Sequence, residues 1–141
     1  MSHYLDTSVV VSLFVPEPAS QAVEDALAAI DGVPVISDYG AGEFASAISR
    51  HVRMGTFAES SGRTILDAFD RWMISSARIE RIEARDIQRA SQIVRRFDLK
   101  LRFPDALQIA ASENRGLAIM TRDVLMTEAA SALGLRVMQL D

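Results

Sequence analysis

Tyr4-Leu5-Asp6-Thr7-Ser8, followed by the apolar run Val9, Val10, Val11, Leu13, Phe14 and Val15, reads as a short strand that stops at a carboxylate and hands over to a helix. Small hydroxyl residues open that helix. In an open α/β sheet, ligands sit outside the carboxyl ends of the strands. An acid at such a point is either a helix cap or the first member of a site. Which one it is depends on whether other acids converge on Asp6.

Outward from this stretch the same alternation repeats. Residues 3–5 form strand 1, and residues 7–14 a short helix weakened by its β-branched side chains. Pro16-Glu17-Pro18 breaks it. A second helix spans 20–30, with Val23, Ala26, Leu27 and Ile30 on one face. Strand 2 spans 33–36, and Ser37-Asp38 caps a helix over 39–54 striped by Phe44, Ala47, Ile48, His51 and Val52. A fourth helix is expected over 57–73, and a short edge strand over 79–82. A fifth helix over 86–97 turns Ile87, Ala90, Ile93, Val94 and Phe97 inward, and residues 98–102 are a loop. Pro104 sits in the first turn of a sixth helix ending at Asn114. Residues 117–120 are an apolar strand, residues 121–123 open a seventh helix through Leu133, and 136–140 is the last strand. Strand and helix alternating to the end predict a three-layer, Rossmann-like α/β/α sandwich. Its sheet is mainly parallel, with four or five strands, in one domain over residues 1–141.

Composition narrows the function. With 49% apolar and 24% charged residues the chain has the make-up of an ordinary globular protein. It has no cysteine, which excludes disulfides and thiolate metal sites. No run approaches the roughly 20 apolar residues of a membrane span. Asp6 interrupts the N-terminal apolar stretch, so no signal peptide is expected and the default location is cytoplasmic. A net charge of −4 argues against an overall basic nucleic-acid binder. Two details soften that. Lys100 is the only lysine and every other basic residue is Arg, the side chain suited to bidentate phosphate contacts, although a GC-rich coding background gives the same preference. Acids gathered in one site also lower the total without making the rest of the surface acidic.

Four acids stand in unusual places. Asp6 follows strand 1, Glu43 lies in the first turns of helix 3, Asp105 follows Pro104, and Asp123 follows strand 117–120. With parallel strands, these positions fall on one edge of the sheet. Each has a bland reading: Asp6 and Asp123 as caps, Asp105 as a dipole partner, and Glu43 as half of a salt bridge with an arginine. Together, four converging carboxylates repel one another and raise each other's pKa values unless cations are present. Oxygen ligands without Cys, and with only two His, suit Mg²⁺ or Mn²⁺ rather than Zn²⁺. Such a site is suited to phosphodiester hydrolysis.

At this point the chain resembles a family. Leu5-Asp6-Thr7-Ser8 and the apolar residues after it, Gly42-Glu43-Phe44, Pro104-Asp105-Ala106-Leu107-Gln108-Ile109-Ala110-Ala111 and Ala118-Ile119-Met120-Thr121-Arg122-Asp123 match, in order, the motifs of PIN-domain ribonucleases. Length and spacing resemble the VapC-like toxins of type II toxin–antitoxin systems. No single motif is specific; the ordered set of four is. The resemblance implies Mg²⁺- or Mn²⁺-dependent endoribonuclease activity on RNA. It places the acid quartet on Asp6, Glu43, Asp105 and Asp123, supported by the hydroxyls of Ser8 and Thr121. It also implies a VapB-like antitoxin partner and homodimerisation. Asp6 and Asp105 are then the first choice as direct metal ligands, with Glu43 and Asp123 completing the site directly or through water. A metal-activated water would leave a 5′ phosphate and a 3′ hydroxyl. One departure follows Asp123, where many members carry a further acid or Asn and this chain has Val124-Leu125-Met126. That makes the fourth acid the least essential. The alternatives are a nuclease of RNA processing, or a module that holds RNA or protein without cutting.

Other candidates are weaker. His3 and His51 form no acid–base pair, and neither Ser8 nor Ser12 has a His partner for a hydrolase triad. Trp72 and the methionines Met73, Met120 and Met138 are at core spacing. Among the arginines, Arg102 and Arg122 are the best placed for RNA phosphates, each within a few residues of a site acid. Arg85, Arg89, Arg95 and Arg96 read as a solvated face or ion-pair partners.

Overall fold

The computed structural model describes residues 2–141. Its strands are β1 (His3–Leu5), β2 (Val35–Ser37), β3 (Arg78–Glu80), β4 (Ala118–Thr121) and β5 (Val137–Gln139). Its helices are α1 (Thr7–Phe14), α2 (Ser20–Ala29), α3 (Asp38–Arg53), α4 (Glu59–Ser76), α5 (Ala84–Val94), α6 (Phe103–Asn114) and α7 (Val124–Ala132). The strands form one sheet in the order β3-β2-β1-β4-β5, and every neighbouring pair is parallel. The order runs outward from β1 in both directions, so the chain reverses its direction of travel between β1 and β4. That is where an open parallel sheet leaves a crevice at its carboxyl edge.

Strand periodicity sorts the core into two layers. Tyr4, Val35 and Ile119 face one side, with Ala90 and Ile93 of α5, Ala106 to Ala111 of α6 and Met126, Ala129 and Ala130 of α7. Leu5, Ile36 and Met120, one residue on in each strand, face the other, with Val9 and Val10 of α1, Val23 of α2, Phe44 and Ile48 of α3 and Phe69 of α4. On that side Phe14 meets Phe44, Phe69 and Trp72 edge-on. Trp72 and Met73 pack against this layer, and Met120 is fully buried. Helix α4 crosses α3 at Gly62, where a Cβ would lie 2.6 Å from Val52 Cγ2, so only glycine permits this approach.

The helix-and-strand sequence follows expectation, with ends displaced by a few residues. Strand β2 starts at Val35: Val33 is exposed, and the Pro34 carbonyl accepts from the Arg78 amide, 2.9 Å. One prediction fails outright. Phe97 is 87% exposed and Ile87 faces solvent, so neither turns inward. Helix α5 ends at Val94, and a 3₁₀ turn over Phe97–Leu99 buries Leu99 instead, with Lys100 in the left-handed region. The inward face of α5 is set by Asp86, Ala90 and Ile93. Ala90, Ile93 and Val94 do face the core; Phe97 does not, because the helix stops at Val94 before reaching it.

Asp86 is fully buried. It accepts a fork from Arg115, Nη1 to Oδ1 at 2.9 Å and Nη2 to Oδ2 at 3.0 Å, a bond from Asn114 Nδ2 at 2.8 Å and the Glu83 amide at 2.8 Å. Burial raises its pKa, but these donors outweigh that and hold it below the usual carboxylate range. Arg115 also reaches Glu80 and the Arg81 carbonyl, so one guanidinium ties β3, α5 and α6 together. Removing it strands a buried charge. Arg115→Met is expected to lower unfolding free energy by about 3–5 kcal/mol in urea titrations at pH 7. The loss shrinks below about pH 4, where Asp86 is protonated in the unfolded chain and the pair no longer favours the fold. An Asp86→Leu/Arg115→Met chain recovers most of the loss; failure to recover would show that packing, not charge, carries the effect.

Candidate active site

The crevice between β1 and β4 is built on a shared carboxylate. The Asp6 amide donates to the Met120 carbonyl, 3.0 Å, extending the ladder one step past the strands. Asp6 is 6% exposed, and its Oδ2 accepts from Ser8 Oγ at 2.7 Å and Thr121 Oγ1 at 2.8 Å. Each hydroxyl is itself pinned: Ser8 Oγ by the Arg122 amide and Thr121 Oγ1 by the Asp123 amide, both at 3.0 Å. Asp6 stands at the head of α1, yet its side chain makes no capping bond to that helix. Burial pushes its carboxyl pKa up; the two hydroxyls pull it down, and the charge of Asp123 adds to the rise.

Glu43 comes from α3. Its Oε1 accepts from Thr7 Oγ1 at 3.0 Å and Gln108 Nε2 at 2.6 Å. These are neutral donors rather than the arginine expected as its structural alternative, so Glu43 is oriented without being neutralised. Gln108 is 1% exposed; its Oε1 accepts from the buried Tyr4 hydroxyl, which also lies 2.8 Å from Ser37 Oγ. Ser37 Oγ in turn accepts the Gly40 amide, 2.9 Å, and caps α3. The chain from Tyr4 to Glu43 thus links β1, β2, α3 and α6. Sequence reading missed Tyr4, Thr7, Ser37 and Gln108 as a network. The available signal was a Gln within the otherwise small and apolar run of α6 and a Tyr in an apolar strand.

Asp105 lies in the first turn of α6. Its pKa is pushed up to about 6, first by burial, then by the charges of Asp6, Asp123 and Glu43, with Arg102 opposing. Burial and the charges of Glu43 and Asp105 also raise the Tyr39 phenol. Asp123 is the N-cap of α7, accepting from the Leu125 amide at 2.9 Å and the Met126 amide at 3.3 Å through Oδ1. For Asp123 the capping role is real, and its field still reaches Asp6 and Asp105.

Among the described residues none of these four acids has a cationic side chain within 4.0 Å, whereas Glu17, Glu80, Asp86, Asp98 and Glu113 all do. The four sit at one edge and feel each other's charge, and only Arg102, acting on Asp105 from beyond ion-pair distance, offsets it. That donor set fits hard divalent cations. Among the described residues no three acidic or His side chains lie close enough together to hold one metal ion. Mg²⁺ does not require three, since it keeps several waters and takes one or two carboxylates.

Arg122 does not serve as expected. Its Nη1 donates to Glu17 Oε1 at 2.5 Å and to Ser12 Oγ at 2.6 Å, which locks the guanidinium beside α1. Ser12 is buried in this cluster, and Ser8 is held by Asp6. Arg85, Arg89 and Arg96 pair with Glu83, Glu113 and Asp98. Arg102 alone of the expected pair stays exposed beside Asp105. His51 stacks on Phe57 with ring centroids 5.0 Å apart.

Raised carboxyl pKa values mean that, in the metal-free protein, folding opposes ionisation of Asp105. The penalty is absent below the unfolded value near 4, builds up to about pH 6 and is complete above it. In EDTA, Asp105→Asn is therefore expected to raise the melting temperature at pH 7.5 and leave it nearly unchanged at pH 4. A neutral or lower melting temperature at pH 7.5 would show that the acids do not strain the fold.

The PIN domain family model matches residues 3–131. A sequence comparison with curated proteins finds no match. Among solved structures the fold resembles FitAcB from Neisseria gonorrhoeae, with 17% identity, a TM-score of 0.75 and coverage of 99% of this chain and 97% of that one. It resembles VapBC2 from Rickettsia felis bound to a promoter DNA fragment, at 15% identity, TM-score 0.76 and full coverage of both chains, 100% each. It also resembles the sarcin-ricin loop cleaving toxin VapC20 of Mycobacterium tuberculosis, at 18% identity, TM-score 0.71 and 96% coverage of each. These identities speak to the fold. With the family match spanning most of its length, the chain belongs to the PIN domain family.

Proposed function

We propose that this chain is a divalent-metal-dependent endoribonuclease, the toxin of a toxin–antitoxin pair, acting as a single PIN-like domain over residues 1–141. The observation that carries the reading is the set of Asp6, Glu43, Asp105 and Asp123, gathered at the sheet's switch point without a cationic partner. Burial without a cationic partner costs Asp6 and Asp105 free energy in their charged form. The toxin part rests on likeness to VapBC2, FitAcB and VapC20. By the same likeness the partner is a VapB-like antitoxin; a second copy of the chain rests on the motif resemblance alone, and a cytoplasmic location on the sequence alone. Among the described residues no helix is long and apolar enough to cross a membrane.

Asp6 and Asp105 would hold the metal, Mg²⁺ or Mn²⁺. Glu43 would complete the site directly, and Asp123, with Oδ1 committed to its helix, would act through water. When bound, the metal supplies a nucleophilic water at neutral pH and offsets the charge that builds on the phosphate. The chain's own residues do the positioning. Ser8 and Thr121 fix one Asp6 oxygen and leave Oδ1 free of side-chain donors. Thr7 and Gln108 aim Glu43, and the buried Tyr4 hydroxyl orients the Gln108 amide by occupying its oxygen. Asp105, with its raised pKa, can exchange a proton near pH 6, which suits a group that trades a proton for a cation.

Purified protein is expected to cleave RNA with Mg²⁺ or Mn²⁺ and to stop in EDTA, leaving 5′ phosphate and 3′ hydroxyl ends. Asp6→Asn and Asp105→Asn should each lower the rate by about a hundredfold or more. Expression should arrest growth, and Asp6→Ala should relieve it. Full cleavage in EDTA, or cyclic phosphate ends, would overturn the metal mechanism. Active enzyme without growth arrest would redirect the reading to RNA processing.

A further inference from the structure

Beside Glu43 a groove of about 570 Å³ runs along α3 to the start of α6. Arg50, His51, Arg53, Thr56 and Arg102 line it, with Glu43 at one wall. Its charge is the reverse of the protein's. The chain carries −4 overall, yet this groove holds three guanidinium groups against one carboxylate. Among the described residues none of the three has an acid within 4.0 Å; Arg63, Arg78, Arg85, Arg89, Arg96, Arg115 and Arg122 are ion-paired, and Arg71, Arg81, Arg95 and Arg136, also unpaired, lie outside the groove. Arg50 and Arg53 make only local contacts, to Sδ of the C-cap residue Met54 at 3.4 Å and to Ser49 Oγ at 2.6 Å. They lie one turn apart on the same helix, about 4.5 Å along its axis. Arg102 is the N-cap residue of α6, three residues before Asp105.

We propose that Arg50, Arg53 and Arg102 form the track that anchors the phosphates of a single RNA strand beside the site, Arg102 holding the one next to the bond that is cut. This rests on the nuclease reading and adds to it where the substrate lies. Arginine offers planar, two-pronged donors that match phosphate oxygens, and a low-lying groove of one sign draws in a polyanion. Glu43 at the wall gives the track its direction: the strand's charge is met by arginines along the groove, and only at its end do carboxylates require a cation between themselves and the phosphate. An acidic peptide would find the same arginines, and its carboxylates could also meet a bound cation, so the experiment sets one against RNA.

The test uses the full chain in EDTA, with a fluorescent 20-nucleotide RNA of mixed sequence and, in parallel, a fluorescent oligoglutamate peptide. Arg50→Gln/Arg53→Gln/Arg102→Gln should weaken RNA binding at least tenfold and flatten the log–log salt dependence by about 2, since each strand phosphate released counts about 0.7. Arg71→Gln/Arg136→Gln, two arginines outside the groove, should change neither. Melting temperatures close to wild type establish that the variants are folded. An unchanged affinity and salt slope in the triple variant, while wild type still cuts RNA with Mn²⁺, would overturn the track and leave the nuclease standing. Wild type that neither binds nor cuts RNA but binds the peptide would overturn both.

Discussion

One carboxylate oxygen holds the two halves of the sheet's carboxyl edge in register. Asp6 Oδ2 receives the hydroxyls of Ser8, from its own helix, and Thr121, from the end of the adjacent strand. The same two hydroxyls receive backbone amides from residues 122 and 123, so the turn leaving β4 is tied to the start of α1. A neutral side chain could make such a knot. A buried carboxylate makes it at a cost, because desolvation disfavours its charge and no guanidinium stands by to repay it. The rest of the edge repeats that pattern: Glu43 is aimed by neutral donors, and Asp105 is crowded by three other acids.

The contrast with Asp86 shows that the fold knows how to settle a buried acid. There the carboxylate receives Arg115, Asn114 and an amide, its pKa falls, and three elements are joined. The same chain leaves Asp6 and Asp105 unsettled some distance away on the sheet's edge, with raised pKa values. Asp86 and Asp6 thus differ in counter-charge, not in burial. Arg122 makes the point from the other side: it is near the site but spends its charge on Glu17 and Ser12, stabilising α1.

The alternation of strands and helices, the parallel sheet and the positions of the acids were legible in the sequence, because strand ends followed by Asp and a 3.6-residue apolar stripe are local signals. What was not legible depended on tertiary placement. Asp86 looked like a helix start and is a core residue, and Phe97, expected inward, lies in a 3₁₀ turn beyond the end of α5. Gln108 and Tyr4 meet only because α6 packs over β1, at a separation of 104 positions. Gly62 carried no signal in the sequence and is the point at which α3 and α4 touch. Arg102 and Arg122 are equivalent by spacing, and only the structure shows that one is committed to an ion pair.

The most direct measurement is Mn²⁺ binding to the metal-free chain, followed by the loss of the free-ion paramagnetic resonance signal at pH 7, in wild type, Asp6→Asn and Asp105→Asn. If the uncompensated acids exist to receive a cation, wild type binds Mn²⁺ with release of protons near pH 6, and both variants bind at least tenfold more weakly while remaining folded. Equal binding in all three, or none in wild type, would contradict it.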